Sequence, residues 1–320
     1  MSDTLKVGER VERVMVVSKK VRRDFSGGRF LLFQFNDRDG VLKGVWWDPT
    51  EDAETSVGVN DVVRVQGEIT EYQGALQLKV SWLEKLDSDE YDPSVFLPAT
   101  PRDPDGLYEE IMRIIESIGS ERLQELLRSI FGDESFRETF VRAPAAKAWH
   151  HSYIGGLAEH VRDMAVMAET AAGIYPEVDR DLLLAGVLLH DIGKVEELSV
   201  SNHISYSDRG RLVGHIVLGV EMLDRRLEAI EGFPEETALR LRHMILSHHG
   251  SLEHGSPVLP MTIEGMLLHY LDNLDAQVRG ALMALDRGGG EPGWTEYIKL
   301  LDRFLYRGGP GSPGGGEIDG

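Results

Sequence analysis

The residues best able to do chemistry in this chain are its histidines, and all eleven lie at or beyond position 150. Cysteine is absent, which excludes disulfides, thiolate catalysis and thiolate zinc sites. One stretch concentrates the question. LLLAGVLLHDIGKVEEL, residues 182–198, runs through eight apolar core-formers and then sets His190 beside Asp191. A buried carboxylate is costly unless it is paired or holds a metal. Related placements recur along the chain. His160 adjoins an apolar face of Leu157, Val161, Met164 and Ala168, and His215 interrupts a stripe of Leu212, Ile216, Leu218 and Leu223. His248 and His249 close LRHMILSHHG, and Asp272 follows MLLHYL.

Taken singly, each of these is more often a hydrogen-bonded core or cap residue than a ligand. Taken together, five successive helical segments each present a His or Asp on or beside a buried face. Bundles build metal sites in this way, from side chains on facing helices. Neutral imidazole with carboxylate suits Mn²⁺, Fe²⁺, Co²⁺, Ni²⁺ or Zn²⁺, and the donor types alone do not choose among them. Adjacent His and Asp project about 100° apart on a helix, so both can reach ions at its end. Such ions can activate water or clamp the attacking and leaving oxygens of a phosphoester. His190 and Asp191 are therefore expected at the centre of a metal cage.

The elements that must position these residues fall into two blocks. RVERVMVVSKKVRR, RFLLFQFND, GVLKGVWWD, DVVRVQGEI and ALQLKVSWLEKL are β-branched or aromatic runs with turn signals at Ser26-Gly27-Gly28, Asp39-Gly40, Val57-Gly58 and Gln73-Gly74. Five strands with a polar segment between the third and fourth predict an OB-fold barrel over residues 1–88. A Pro- and acid-rich linker is expected over 89–105 and a helical domain over 106–306. Its helices are predicted at 106–131, 134–142, 154–173, 179–192, 208–231, 234–249, 261–287 and 294–306, before a structureless Gly-rich tail at 307–320. The fold class is thus multidomain, an all-β barrel followed by an all-α bundle.

The sequence resembles a known family at this point. His160, His190-Asp191 and Asp272 match the H…HD…D signature of HD-domain metal-dependent phosphohydrolases, with LLHDIGK as its most distinctive core. A barrel followed by HHSYIGGLAEHV, AGVLLHDIGKVEEL, GHIVLGVEML and SHHGSLEHGSPVLPMTIEGMLLHYLDNLDA looks like the YhaM-type 3′→5′ exoribonucleases, over residues 9 to roughly 285. The resemblance implies His160, His190, Asp191 and Asp272 as core ligands, and His215 with His248 or His249 as a second site. It also implies catalytic roles for Asp191 and Lys194, the latter as a phosphate contact; the bland alternative for Lys194 is a lysine offsetting a helix dipole. Two divalent ions are expected, manganese foremost, with Fe, Co, Ni, Zn or Mg as alternatives. His150, His151, His203, His243, His254 and His269 have no firm match; His254 is a candidate to face the cleft, and His151 reads as a polar helix entry.

Charge points to a nucleic-acid surface on the barrel. The chain carries a net −20, yet residues 6–47 hold ten Lys or Arg against five acids. Lys19, Lys20, Arg22, Arg23 and Arg29, with Phe25, Phe33, Phe35 and Trp46, are the candidate contacts for a single strand. Trp46 and Trp47 must point to opposite faces, so one of them is expected in the core. The partner expected is single-stranded RNA, with DNA and a homo-oligomer left open. No apolar run approaches a membrane span and the first residues lack a secretory pattern, which reads as cytoplasmic. The competing functions are an HD phosphohydrolase of nucleotides or cyclic dinucleotides, and a nucleic-acid-binding protein with a merely structural HD domain.

Overall fold

The computed structural model describes residues 5–25, 27–37, 40–72, 74–87, 89–92, 96–147, 149–201, 203–286 and 291–309. The expectations for Ser26, Asp39 and Gln73, and for the tail from residue 310, lie outside these. The chain divides into two compact units at Ala99/Thr100, and Val200–Ile204 groups with the first.

The first unit is a closed five-stranded barrel in the order β1-β2-β3-β5-β4. Its strands are β1 (Arg10–Phe25), β2 (Gly28–Asp37), β3 (Gly40–Trp47), β4 (Val62–Tyr72) and β5 (Ala75–Lys85), with a short helix α1 (Glu51–Thr55) between β3 and β4. Closure depends on the length of β1, whose Arg10–Val16 half pairs with β4 and whose Val16–Phe25 half pairs with β2. Period-two alternation turns Leu31, Phe33 and Phe35 inward with Met15, Val17, Val63, Val65, Ile69 and Leu78. Part of the expected linker packs rather than hangs free: Tyr91 and Phe96 join Val62 and Leu86 in a small apolar cluster.

The second unit is helical: α2 (Pro104–Ser117), α3 (Glu121–Phe131), α4 (Glu134–Phe140), α5 (Gly156–Ile174), α6 (Arg180–Leu189), α7 (Lys194–Glu197), α8 (Asp208–Leu212), α9 (His215–Leu227), α10 (Glu235–Ser247) and α11 (Ile263–Asp286). A short hairpin, β6 (Leu198–Val200) with β7 (Ile204–Tyr206), follows α7. Helix α6 is apolar on every side and every residue from Leu182 to Leu189 is buried, so it forms the middle of the unit. Helices α5, α10 and α11 pack against it.

Several expected helices are corrected. The segment 106–131 is two helices, because Ile118 turns extended and Gly119 and Ser120 donate their amides to Asp181 Oδ2, each at 2.9 Å. Ser120 then caps α3 through the Leu123 amide. Helix α2 starts inside the expected linker, with Asp103 as cap and Pro104 in the first turn. The segment 208–231 breaks at Gly214, whose φ of +81° makes His215 the first residue of α9. No helix forms at 294–306. Its aromatic residues mimic helical spacing, but the backbone pairs across isolated bridges, Trp294 with Tyr306 and Ile298 with Arg303.

The turn after His190 and Asp191 is fixed by close packing. A Cβ on Gly193 would lie 2.0 Å from the His215 carbonyl oxygen and 2.6 Å from the Gly219 nitrogen. Only a bare backbone lets this turn touch the start of α9. Gly193→Ala is expected to destabilise the protein by about 1–3 kcal/mol through overpacking, read as a lowered melting temperature. An unchanged melt would show that the approach is not constrained.

Candidate metal centre and nucleic-acid surface

Asp191 is 1% exposed and sits just past the end of α6 with His190, which is fully buried. Its two oxygens face two groups of nitrogens. Oδ2 lies 3.2 Å from His190 Nε2, 3.6 Å from His160 Nε2 and 2.5 Å from Lys194 Nζ. Oδ1 lies 3.7 Å from both His215 Nε2 and His248 Nε2. Asp272, on α11, brings Oδ1 to 3.4 Å from His160 Nε2. Five separate segments (α5, the end of α6, the start of α9, the end of α10 and α11) thus converge on one pocket around Asp191.

The tautomers follow from what each Nδ1 touches. His190 Nδ1 donates to the Val187 carbonyl and His248 Nδ1 to the Ile245 carbonyl, both at 2.7 Å. A carbonyl can only accept, so these nitrogens carry the proton and the Nε2 lone pairs face inward. His215 Nδ1 meets Glu197 Oε1 at 2.9 Å, and the same oxygen accepts the His215 amide at 3.0 Å. His160 Nδ1 meets Asp275 Oδ2 at 2.7 Å. His249, whose Nδ1 donates to the His254 carbonyl at 2.8 Å, stands beside His215 and His248.

Three observations fit cations to this pocket. Asp191 Oδ1, His215 Nε2 and His248 Nε2 are buried with no hydrogen-bond partner among the described residues. Such orphans are rare in folded proteins and call for a ligand. His160 Nε2 and His190 Nε2 lie 3.3 Å apart, close to the roughly 3.4 Å expected of two nitrogens each about 2.0–2.1 Å from one tetrahedral ion. Finally, the nitrogens and carboxylate oxygens form three groups compatible with a metal among the described residues: His160/His190/Asp272, His215/His248/His249, and His151/His160/Asp275, whose members already hydrogen-bond to one another.

The electrostatics agree. Burial alone would raise the Asp191 carboxyl, but Lys194, His190 and His215 outweigh it and hold it well below its ordinary range. Burial alone would lower Lys194, and Asp191 and Asp272 hold it above its usual value. Burial likewise pulls on His160, but Asp272 and Asp275 lift it to about 9. A cation entering here competes with that proton, so uptake releases protons. Around the cage, Asp275 also accepts from His151 Nε2 at 2.9 Å, while His151 Nδ1 meets Tyr153 Oη at 2.8 Å.

The structure brings together all seven residues expected at the cage, with Lys194. Sequence reading missed Asp275 and Glu197, which orient His160 and His215. The signal for Asp275 was its position one turn from Asp272 on the same helix, and for Glu197 its place one turn from Lys194. The His254 side chain is exposed in a 3₁₀ turn, and His243 Nε2 accepts the Met261 amide.

On the barrel, Lys19, Arg23 and Lys43 line a groove of about 470 Å³ with Leu32, Gln34 and Tyr72. Other expected contacts are corrected. Phe33 and Phe35 are buried and stacked on each other inside the barrel, 5.1 Å between centroids, so neither is a surface platform. Trp46 is half-buried against the core, and Trp47 is the exposed one. With Phe25 and Phe30, Trp47 makes an aromatic cluster at the β1–β2 turn, its ring centroids 5.7 and 4.7 Å from theirs. Lys20 is spent on the Glu54 and Val57 carbonyls. Arg22 pairs with Asp24 and Glu54, and Arg29 pairs with Glu54 and the Pro49 carbonyl.

Comparisons with known proteins agree with this architecture. Residues 157–277 match the HD domain family and residues 13–86 match the OB-fold nucleic acid binding domain. The 3′-5′ exoribonucleases YhaM of Bacillus licheniformis and Bacillus subtilis are each 35% identical to this chain, over 94% of it and 96% of theirs. That of Listeria innocua is 36% identical over 85% of this chain and 87% of its own.

The role of Asp275 is open to test. Asp275→Asn should keep the fold but weaken metal binding roughly 10- to 100-fold, as loss of an outer-shell carboxylate does, measured by titration against a competing chelator. Wild-type affinity would mean that His160 is oriented without it.

Proposed function

Because the chain belongs to the YhaM family of 3′-5′ exoribonucleases, we propose that it removes nucleotides from the 3′ end of single-stranded RNA, acting in the cytoplasm. The observation that carries the catalytic part is Asp191, a buried carboxylate whose two oxygens serve two groups of inward-facing nitrogens. We assign His160, His190, Asp191 and Asp272 to one divalent ion, and Asp191, His215, His248 and His249 to a second, with manganese foremost. Such ions supply Lewis-acid polarisation of the phosphoryl group and activate water.

The chain's own residues do the rest. Lys194 has three N–H donors, of which Asp191 occupies one. In this reading the remaining donors hold a non-bridging phosphate oxygen while the ammonium offsets developing negative charge. The Val187 and Ile245 carbonyls, Glu197 and Asp275 keep the imidazoles of His190, His248, His215 and His160 turned inward. The barrel supplies grip: Lys19, Arg23 and Lys43 follow the phosphates, and Phe25, Phe30 and Trp47 offer faces to bases.

Asp191→Ala should lose bound metal and hydrolysis while retaining single-strand binding. With the unaltered protein, a block at the 3′ end of a labelled RNA should stall shortening and a block at the 5′ end should not. Internal cuts in a circular strand would overturn the exonuclease reading, and full activity of Asp191→Ala would overturn the metal assignment.

The grip has its own signature. Replacing Lys19, Arg23 and Lys43 together by Ala should weaken long-strand binding and reduce the slope of log affinity against log salt by about 2, at roughly 0.7 per phosphate contact. An unchanged slope would return the groove to ordinary solvated surface.

A further inference from the structure

One imidazole beside the cage is neither a ligand candidate nor tied to the protein. Both ring nitrogens of His150 are buried, and neither has a hydrogen-bond partner among the described residues. Its ring lies 5.6 Å from that of His160 and 6.0 Å from that of His151, centroid to centroid. It belongs to none of the groups compatible with a metal. Its ring contact with His160 nevertheless places it beside the cage.

The turn that carries His150 is held on both sides. A Cβ on Gly280 of α11 would fall 2.2 Å from the Trp149 ring, so that indole nests on the bare helix backbone. His151 on the other side is anchored to Asp275, and it takes a left-handed φ of +49°, uncommon for a residue with a side chain. The His151 carbonyl is used as well, accepting the Ala145 amide at 3.1 Å. His150 is therefore fixed between two anchored neighbours, and its lack of partners is built in. Buried polar atoms left unpaired cost stability, and such sites often await a ligand.

We infer that His150 is a substrate-binding residue which donates a hydrogen bond to a non-bridging phosphate oxygen of the nucleotide at the cage. The inference rests on the exonuclease reading above. A neutral imidazole offers one donor and one acceptor. A nucleotide meets both demands, with a phosphate oxygen for the N–H and a ribose hydroxyl for the lone pair. Lys194 would hold the same phosphate through charge, and His150 through direction.

The test is a calorimetric titration of the metal-loaded protein with adenosine 5′-monophosphate, and with adenosine as the phosphate-free control. His150→Ala should weaken monophosphate binding roughly 10- to 100-fold, the range of a hydrogen bond to a charged group, with a clearly smaller loss for adenosine, which offers only the ribose hydroxyl, and with metal content unchanged. His150→Gln, which restores an N–H donor, should recover part of the loss, and it serves as the test variant if the alanine protein does not fold. Steady-state kinetics on RNA should show the same order of loss in kcat/KM. Wild-type monophosphate affinity in His150→Ala, or no recovery in a folded His150→Gln, would overturn the inference, as would metal loss in step with affinity. A wild-type protein that does not shorten RNA would sink the exonuclease reading instead, and the monophosphate titration would still decide His150.

Discussion

The helical unit is organised around the desolvation of one carboxylate. Asp191 lies in an apolar environment built by α6, where an uncompensated negative charge would cost several kcal/mol (order of magnitude). Lys194, one turn later, neutralises it at 2.5 Å. The ammonium bonds Oδ2, and Oδ1 is left without a hydrogen-bond donor among the described residues, beside two inward lone pairs. The compensation is therefore incomplete from protein alone. That shortfall is the physical reason to place positive charge from outside the chain at this point, and the bundle supplies donors in the number and orientation that such charge requires.

The supports around the cage are of two kinds. On the Oδ2 side, His160 is backed by a carboxylate, Asp275, and His190 by a backbone carbonyl. On the Oδ1 side, His215 is backed by a carboxylate, Glu197, and His248 by a backbone carbonyl. A carboxylate behind an imidazole raises its basicity, whereas a carbonyl mainly fixes the tautomer. Each half thus has one strongly backed ring, and the others, His249 with the His254 carbonyl included, are only oriented. The two carbonyls come from the last turns of α6 and α10, where helix geometry leaves acceptors without intrahelical partners. The ends of α6 and α10 thereby provide His190 and His248 together with their orienting carbonyls.

Much of this was legible in the sequence because the relevant signals are local. Alternation marked all five barrel strands, and an imidazole–carboxylate pair terminating an apolar run marked the centre of the cage. Where reading failed, the deciding contact was distant in sequence. The break at Gly119 depends on Asp181, sixty-two residues away, and nothing in the apolar periodicity of 106–131 announces it. Asp275 acquires its role only when α11 is laid against α5. The aromatics of 294–306 satisfy helical spacing and cross-strand pairing equally well, and the bridges decide. Phe33 and Phe35 were open to both readings, since alternation shows that they share a face but not which face is the core.

The same distinction between local type and spatial commitment governs the basic surface. A count of Lys and Arg near the N-terminus gives an excess of charge, but the folded barrel spends much of it. Lys20 satisfies two carbonyls beside α1, and Arg22 and Arg29 both pair with Glu54. A cation already paired or directed at carbonyls has less field to offer a phosphate, and moving it costs the bonds it makes. Lys19, Arg23 and Lys43 instead line an open groove beside Tyr72, where their charge is directed at solvent-filled space. The number of phosphates that the barrel can neutralise is therefore set by the residues its own fold leaves available, and it is smaller than the composition suggests.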